Sequence, residues 1–207
     1  MKFYLSSYKI GNEAERLKRM FSVNKRVGYV PNATDYTNLD LERQDRHIKR
    51  DIADLQELGL IVEMLDLREY FGRKEELENR LEKLGGIWVT GGSVFILRQA
   101  MELSGLDGIL KKWIDRKDFV YGGYSAAGCV LSPNLHAYEI VDNAKEMPYP
   151  QLKSAIWEGL DMIDYAFMPH YGSDHQESDD IDKEIEYCKE NKIPYKTLQD
   201  GEVIIIE

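Results

Sequence analysis

The sequence predicts an α/β protein in which a mostly parallel, doubly wound sheet is flanked by helices. Short apolar runs alternate with longer charged segments whose apolar residues recur every three or four positions, as expected for buried strands followed by amphipathic helices. The 207 residues contain no glycine-, serine- or proline-rich linker and no internal repeat. We therefore expect residues 1–207 to form a single domain.

The individual elements follow from this alternation. The apolar runs predict strands at residues 2–7, 26–30, 60–65, 86–90, 119–122, 165–168 and 203–206. The amphipathic segments predict helices at residues 13–21, 39–58, 74–84, 94–103, 106–116 and 179–191. Residues 132–159 include Pro133, Pro148 and Pro150 and have weak periodicity, so they predict a long loop of the kind that often carries function.

Charge and composition exclude several classes of partner. The chain has 27 Lys and Arg against 37 Asp and Glu, a net charge of −10 at pH 7. This charge repels nucleic-acid phosphates and anionic lipid, and no basic patch offsets it, so neither nucleic acid nor a membrane is an expected partner. The amino terminus lacks the apolar core of a signal peptide, and the only cysteines are Cys129 and Cys188. A cytoplasmic location is therefore predicted.

Ser125 is the first candidate for chemistry. It follows the apolar run at 119–122 and precedes an apolar segment, so we predict a sharp strand-to-helix turn at this position. Small neighbours such as Gly123 and Ala126 suit the crowded backbone of a nucleophile turn, in which the amide after the serine faces a substrate oxygen. Ala127 occupies the second glycine position of the G-x-S-x-G pattern. The alternative that Ser125 merely caps the helix stays open.

A serine nucleophile needs a base, and His170 is the strongest candidate among four histidines. It follows an apolar run and a proline, which places it at the carboxyl end of a predicted strand and at the same sheet edge as Ser125. His47 lies in a predicted charged helix, where exposure to solvent is expected. His136 and His175 are the alternative candidates for the base.

A third group, a carboxylate, is needed to orient the imidazole and stabilise its protonated form. The irregular segment between the serine and the histidine offers Glu139, Asp142 and Glu146, and spacing alone does not choose among them. The turn at Gly91-Gly92 also joins a predicted strand to a helix, and its free amides would supply half of an oxyanion hole. It lacks the sequence of a phosphate-binding loop, so no nucleotide cofactor is expected.

Four motifs, in this order, resemble the peptidase family of dipeptidase E, or aspartyl dipeptidase, known as peptidase family S51. They are the Gly91-Gly92 turn, the Gly123-Tyr124-Ser125-Ala126 turn, the triplet Glu146-Met147-Pro148 and the strand end Met168-Pro169-His170-Tyr171. The resemblance covers nearly the whole chain. It implies a fold like that of class I glutamine amidotransferases and cleavage of amide bonds by a serine nucleophile.

The resemblance also implies roles for individual residues. Ser125 would be the nucleophile and His170 the general base, and Glu146 would orient His170, because the dipeptidase has an aspartate in the corresponding Asp-Met-Pro triplet. The amides of Gly92 and Ala126 would form the oxyanion hole. The implied substrate is a short peptide, no cofactor is required, and a homodimer is an open alternative.

One departure from the family concerns substrate recognition. The dipeptidase binds its substrate's aspartyl carboxylate with an arginine shortly after the histidine, whereas this chain has no arginine after Arg116. The resemblance therefore does not extend to aspartyl specificity. The alternative to a serine peptidase is a binding or regulatory relative that keeps the fold without the reaction.

Overall fold

The computed structural model of the protein describes residues 1–38, 40–174 and 178–207. Its strands are β1 (Lys2–Ser6), β2 (Arg26–Val30), β3 (Ile61–Met64), β4 (Gly86–Val89), β5 (Val120–Tyr124), β6 (Ala166–Met168), β7 (Tyr195–Thr197) and β8 (Val203–Ile206). Its α-helices are α1 (Ala14–Met20), α2 (Leu41–Glu57), α3 (Lys74–Leu81), α4 (Val94–Ser104), α5 (Leu106–Lys112), α6 (Ala126–Cys129) and α7 (Ser178–Glu190).

The central sheet has six strands in the order β3-β2-β4-β5-β1-β8. Every pairing in it is parallel except that of β8, which runs antiparallel to β1 along the edge. The strand β5 is buried along its whole length, and its sequence is accordingly a continuous run of apolar residues and glycines. The predicted mostly parallel sheet flanked by helices is confirmed.

A second, two-stranded sheet corrects one detail of the prediction. The run at 165–168 was expected to join the sheet that carries Ser125, but β6 pairs in parallel with β7 in a separate sheet. The sequence did not reveal β7, because it has only three residues and they are not fully buried. The second sheet is tied to the first where the backbone N–H of His170 donates to Ser7 Oγ at 2.9 Å.

Local capping explains where the helices begin. The Asp40 carboxylate accepts the Arg43 backbone N–H at 3.0 Å and starts α2, while the predicted start at residue 39 lies outside the described residues. The Ser93 hydroxyl accepts the Ile96 N–H and starts α4. The segment 132–159 is largely irregular, as predicted, with a short 3₁₀ helix at His136–Ile140. Throughout the described ranges, none of the helices combines the length and hydropathy that crossing a bilayer requires.

Close packing between β4 and β5 requires glycine at position 123. A Cβ atom built on Gly123 would lie 2.4 Å from the Val89 carbonyl oxygen and 2.5 Å from the Ala127 Cβ. Neither neighbour can move without displacing a strand or the turn after β5. The glycine before Ser125 is therefore a packing requirement of the sheet as well as part of the turn.

We predict that Gly123→Ala lowers the free energy of unfolding by about 1–3 kcal/mol, because the added methyl group overpacks this contact. Gly108→Ala is the matched control, since its Cβ would meet only the mobile end of Lys74 and α5 gains helix propensity. Chemical denaturation should show Gly108→Ala unchanged or up to about 1 kcal/mol more stable. Equal stability of the two variants would contradict this packing.

Candidate active site

Ser125 lies on a strained turn between β5 and α6. Its φ is 52° and its ψ is −112°, a positive φ that non-glycine residues rarely adopt. The backbone holds this geometry from both sides: the Ser125 N–H donates to the Ser6 carbonyl at 3.1 Å, and the Ser125 carbonyl accepts the Gly128 N–H at 2.8 Å. Within the described chain the Ser125 side chain makes no helix-capping hydrogen bond, so the capping alternative loses support.

His170 follows β6 and is held in a hydrogen-bonded cluster. Its imidazole is 2 % exposed, and its Nδ1 lies 2.7 Å from Asp200 Oδ1. The Ser7 hydroxyl accepts the His170 backbone N–H and donates to the same Asp200 oxygen at 2.9 Å. An ionised carboxylate only accepts hydrogen bonds, so Nδ1 is the donor and, in the neutral ring, Nε2 is the acceptor.

Ser125 and His170 line one cavity of about 460 Å³. Gly91, Gly92, Tyr8 and Tyr124 also line this cavity, together with residues of the loop after β2 and of the first half of α2. The volume falls in the range of roughly 300–1,000 Å³ that small-molecule sites occupy. The structure thus brings the two residues to one place, although their strands belong to different sheets.

The carboxylate bonded to His170 is that of Asp200 and not that of Glu146. Glu146 instead accepts hydrogen bonds from the backbone N–H of Thr37, at 2.7 Å, and from the Thr37 hydroxyl. These two bonds lower the pKa of Glu146 below its usual value. Glu146 therefore fastens the irregular segment to the loop after β2.

Of the other two carboxylate candidates, Asp142 lines a smaller cavity that reaches Ser125, and Glu139 lies on the surface. Asp142 Oδ2 accepts the Val94 N–H at 2.7 Å, at the start of α4, and Glu139 is exposed on the 3₁₀ helix. The sequence did not point to Asp200, because the carboxylate was expected between the serine and the histidine and because β7 was not predicted. The Asp200-Gly201 pair before the last apolar run is a turn signal that could have indicated it.

The two candidate oxyanion amides flank the nucleophile turn. Gly92 has a φ of 141°, and a Cβ there would lie 2.4 Å from the Ala33 carbonyl oxygen, so the position requires glycine. Among the described residues, the amides of Gly92 and Ala126 donate to no protein acceptor. Both residues also line a smaller cavity that reaches Ser125. Two unused N–H groups beside a serine are the elements of an anion-binding pocket.

The remaining histidines have other environments. His47 lines the main cavity from α2, and burial together with the cations of Arg50 and Arg43 lowers its pKa. His136 stacks on Trp157 with ring centroids 4.7 Å apart. His175 lies outside the described residues. In the part of the chain that the structure describes, no group of three or more His, Cys, Asp or Glu side chains is arranged to hold a metal ion.

A buried carboxylate lies beneath the site. Asp51 is 4 % exposed, and its Oδ2 accepts hydrogen bonds from the hydroxyls of Tyr29 at 3.0 Å and Tyr124 at 2.8 Å, while Arg50 donates to Oδ1. Burial and the Asp51 charge raise the pKa of Tyr124 well above its usual value, so that its hydroxyl remains a donor. Tyr124 directly precedes Ser125, so this network supports the turn at Ser125.

Fold and site together define a class of protein. A mostly parallel sheet carries a serine on a strained strand-to-helix turn, and this serine shares a cavity with a histidine that is bonded to an aspartate, as in some α/β hydrolases. The chain belongs to peptidase family S51, whose sequence model matches residues 7–207. The expected family is confirmed, and with it the reaction class of a peptidase.

Individual relatives agree with this assignment. An uncharacterised peptidase of Listeria monocytogenes is 29% identical over 150 residues, which is 72% of this chain and 67% of the relative. Peptidase E of Streptomyces coelicolor is 28% identical over 133 residues, 62% of this chain and 51% of that protein. The matches thus span between about half and two thirds of these relatives.

Solved structures support the fold. A protein from Listeria monocytogenes assigned as a peptidase E superposes with a TM-score of 0.75 and 23% identity, over 100% of this chain and 98% of the other. A peptidase from an acI-B1 Actinobacterium has a TM-score of 0.67 and 14% identity, over 100% and 83% of the two chains. At these identities the likeness concerns the fold alone.

We predict that Asp51→Ala lowers the free energy of unfolding by about 2–4 kcal/mol, because it leaves two buried hydroxyls and Arg50 without their acceptor. Asp45→Ala is the control on the same helix: Asp45 is 58% exposed and forms a surface ion pair with Lys49, so less than about 1 kcal/mol is expected. Denaturant titration measures both. Similar small losses in the two variants would contradict the supporting role of Asp51.

Proposed function

We propose that the protein is a serine peptidase that hydrolyses short peptides through an acyl-enzyme. The observation that carries this proposal is the 2.7 Å hydrogen bond between Asp200 and Nδ1 of His170, a residue that lines the same cavity as Ser125. Family membership supports the peptidase class, and the cavity volume supports a small substrate.

In the first half of the reaction, Ser125 Oγ attacks the carbonyl carbon of the scissile bond while His170 Nε2 accepts the hydroxyl proton. The carbonyl oxygen becomes an anion, which the amides of Gly92 and Ala126 stabilise. The positive φ of Ser125 suits this role because a sharp turn lifts the side chain clear of the sheet edge. Collapse of the intermediate breaks the C–N bond, and His170 returns its proton to the leaving amine.

In the second half, water attacks the acyl-enzyme and His170 again acts first as base and then as acid. Asp200 holds Nδ1–H throughout and stabilises the imidazolium that forms in each half. Ser7 contributes by binding both the backbone of His170 and the carboxylate of Asp200. In this proposal Asp200 takes the orienting role that the sequence assigned to Glu146.

The nucleophile is tested by covalent labelling. A fluorophosphonate probe should label the wild-type protein, and Ser125→Ala should abolish both labelling and hydrolysis of a dipeptide panel, because the probe reacts with an activated serine. Mass spectrometry locates the adduct. Absence of labelling and of hydrolysis in the wild type would instead favour a binding or regulatory relative of the same fold.

The identity of the orienting carboxylate is tested by a matched pair of variants. Asp200→Asn should lower kcat by roughly 10³- to 10⁴-fold, because the amide favours the wrong tautomer of His170. Glu146→Gln should change kcat by less than about threefold, since Glu146 bonds to Thr37. Steady-state kinetics on one dipeptide decides between them. A large loss of kcat in Glu146→Gln with little change in Asp200→Asn would instead make Glu146 the carboxylate that orients His170.

A further inference from the structure

The loop after β2 alternates between two kinds of residue at positions 34–38, a stretch that we call the cavity loop. Three of its residues line the main cavity: Thr34, Tyr36 and Asn38. The two residues between them, Asp35 and Thr37, are instead hydrogen-bonded to the irregular segment 132–159. One short stretch of chain therefore supplies part of the cavity lining and is attached to a remote segment through the residues in between.

The first attachment joins Thr37 to Glu146. The Glu146 carboxylate accepts the Thr37 backbone N–H at 2.7 Å and also the Thr37 hydroxyl. Glu146 is itself held, because its backbone carbonyl accepts the side-chain amide of Gln99 at 2.9 Å. Gln99 is fully buried in α4, the helix that begins shortly after Gly92. This attachment therefore connects the cavity loop to a helix whose position is fixed by packing.

The second attachment, between Tyr149 and Asp35, is buried. The Tyr149 hydroxyl donates to Asp35 Oδ2 at 2.6 Å, and the side-chain amide of Asn32 donates to the same oxygen at 2.8 Å. Burial and the charge of Asp35 raise the pKa of Tyr149 well above its usual value, so its hydroxyl remains a donor. The Tyr149 ring also packs in a T-shaped contact on Phe71, with centroids 5.1 Å apart.

Both attachments come from one sequence motif to which the proposed reaction assigns no role. Glu146 and Tyr149 are three residues apart in the run Glu146-Met147-Pro148-Tyr149. Proline fixes its own φ, so Pro148 restricts the backbone between the two anchoring side chains. The motif thus holds the cavity loop at two points, separated by two residues along that loop.

We propose that Glu146 and Tyr149 are positioning residues that hold residues 34–38 in the conformation that binds the substrate. This inference rests on the proposed function. In the part of the chain that the structure describes, neither residue lines the main cavity, so both would act on a peptide only through the cavity loop. A contact that is equally strong before and during the reaction affects KM and leaves kcat unchanged. The motif would therefore control substrate binding and not the chemical step.

The test compares variants at the two anchors by steady-state kinetics on a peptide that the wild type hydrolyses. Glu146→Ala and Tyr149→Phe should each raise KM by about three- to tenfold and leave kcat within about twofold, because each removes hydrogen bonds to the cavity loop and no reacting group. Tyr149→Phe keeps the ring that packs on Phe71 and loses only the hydroxyl. Glu146→Gln keeps an acceptor for Thr37 and should recover most of the lost affinity.

Two further measurements separate binding from chemistry. The rate of labelling by a fluorophosphonate should stay at the wild-type value in all three variants, because this small probe depends on the activation of Ser125 and not on the cavity loop. Hydrogen exchange of the backbone amides at residues 34–38 should be faster in Glu146→Ala and Tyr149→Phe than in the wild type, since the attached conformation would open more often.

Glu139→Ala is the matched control, because Glu139 belongs to the same irregular segment and is exposed. It should keep the wild-type KM and exchange rates. If the anchor variants raise KM no more than Glu139→Ala does, or if they lower kcat at unchanged KM, the inference is overturned and the proposed function stands. If Glu146→Ala does not fold, Tyr149→Phe and Glu146→Gln decide by the same criteria. If the wild type neither hydrolyses peptides nor is labelled, the proposed function fails and the inference fails with it.

Discussion

The structure depends on one hydrogen-bonded cluster, in which Ser7 joins two separate sheets. Its hydroxyl accepts the backbone N–H of His170, which follows β6, and donates to Asp200, which lies between β7 and β8. Ser6, its neighbour at the end of β1, accepts the N–H of Ser125. Two consecutive residues therefore fix the positions of the serine, the histidine and the aspartate. Together with the hydrogen bonds that Cys129 Sγ and the Tyr138 hydroxyl donate to the Phe167 carbonyl, these contacts position the second sheet against the turn after β5.

The strain at this site is balanced by packing around it. Ser125 and His170 both have positive φ values, a conformation that costs roughly 1–3 kcal/mol at a non-glycine residue. Beside Ser125, the buried strand β5 and the hydrogen bond from Tyr124 to Asp51 hold the backbone in this conformation. Beside His170, the hydrogen bond to Ser7 does the same. Strain at a reactive position is retained because its surroundings leave the chain no relaxed alternative.

Sequence reasoning predicted the parallel sheet, the turn at Ser125 and the strand end at His170, because buried strands and small-residue turns have local signatures. It did not predict the partner of the imidazole. Asp200 comes close to His170 through contacts between distant segments, among them the pairing of β6 with β7 and the bond to Ser7. Glu146 was favoured by a triplet motif, and its real partner, Thr37, is likewise remote in the chain. Contacts between distant segments of this kind produce no periodic pattern in the amino-acid sequence.

The place of Asp200 in the chain has a consequence for biosynthesis. The serine is translated 75 residues before the aspartate, which lies in the turn between β7 and β8. If Asp200 has the role proposed for it, a growing polypeptide contains its hydroxyl and its imidazole before the acid that would align them has been translated. Under the proposed function, a nascent chain would gain hydrolytic activity only after nearly all of its residues have been translated.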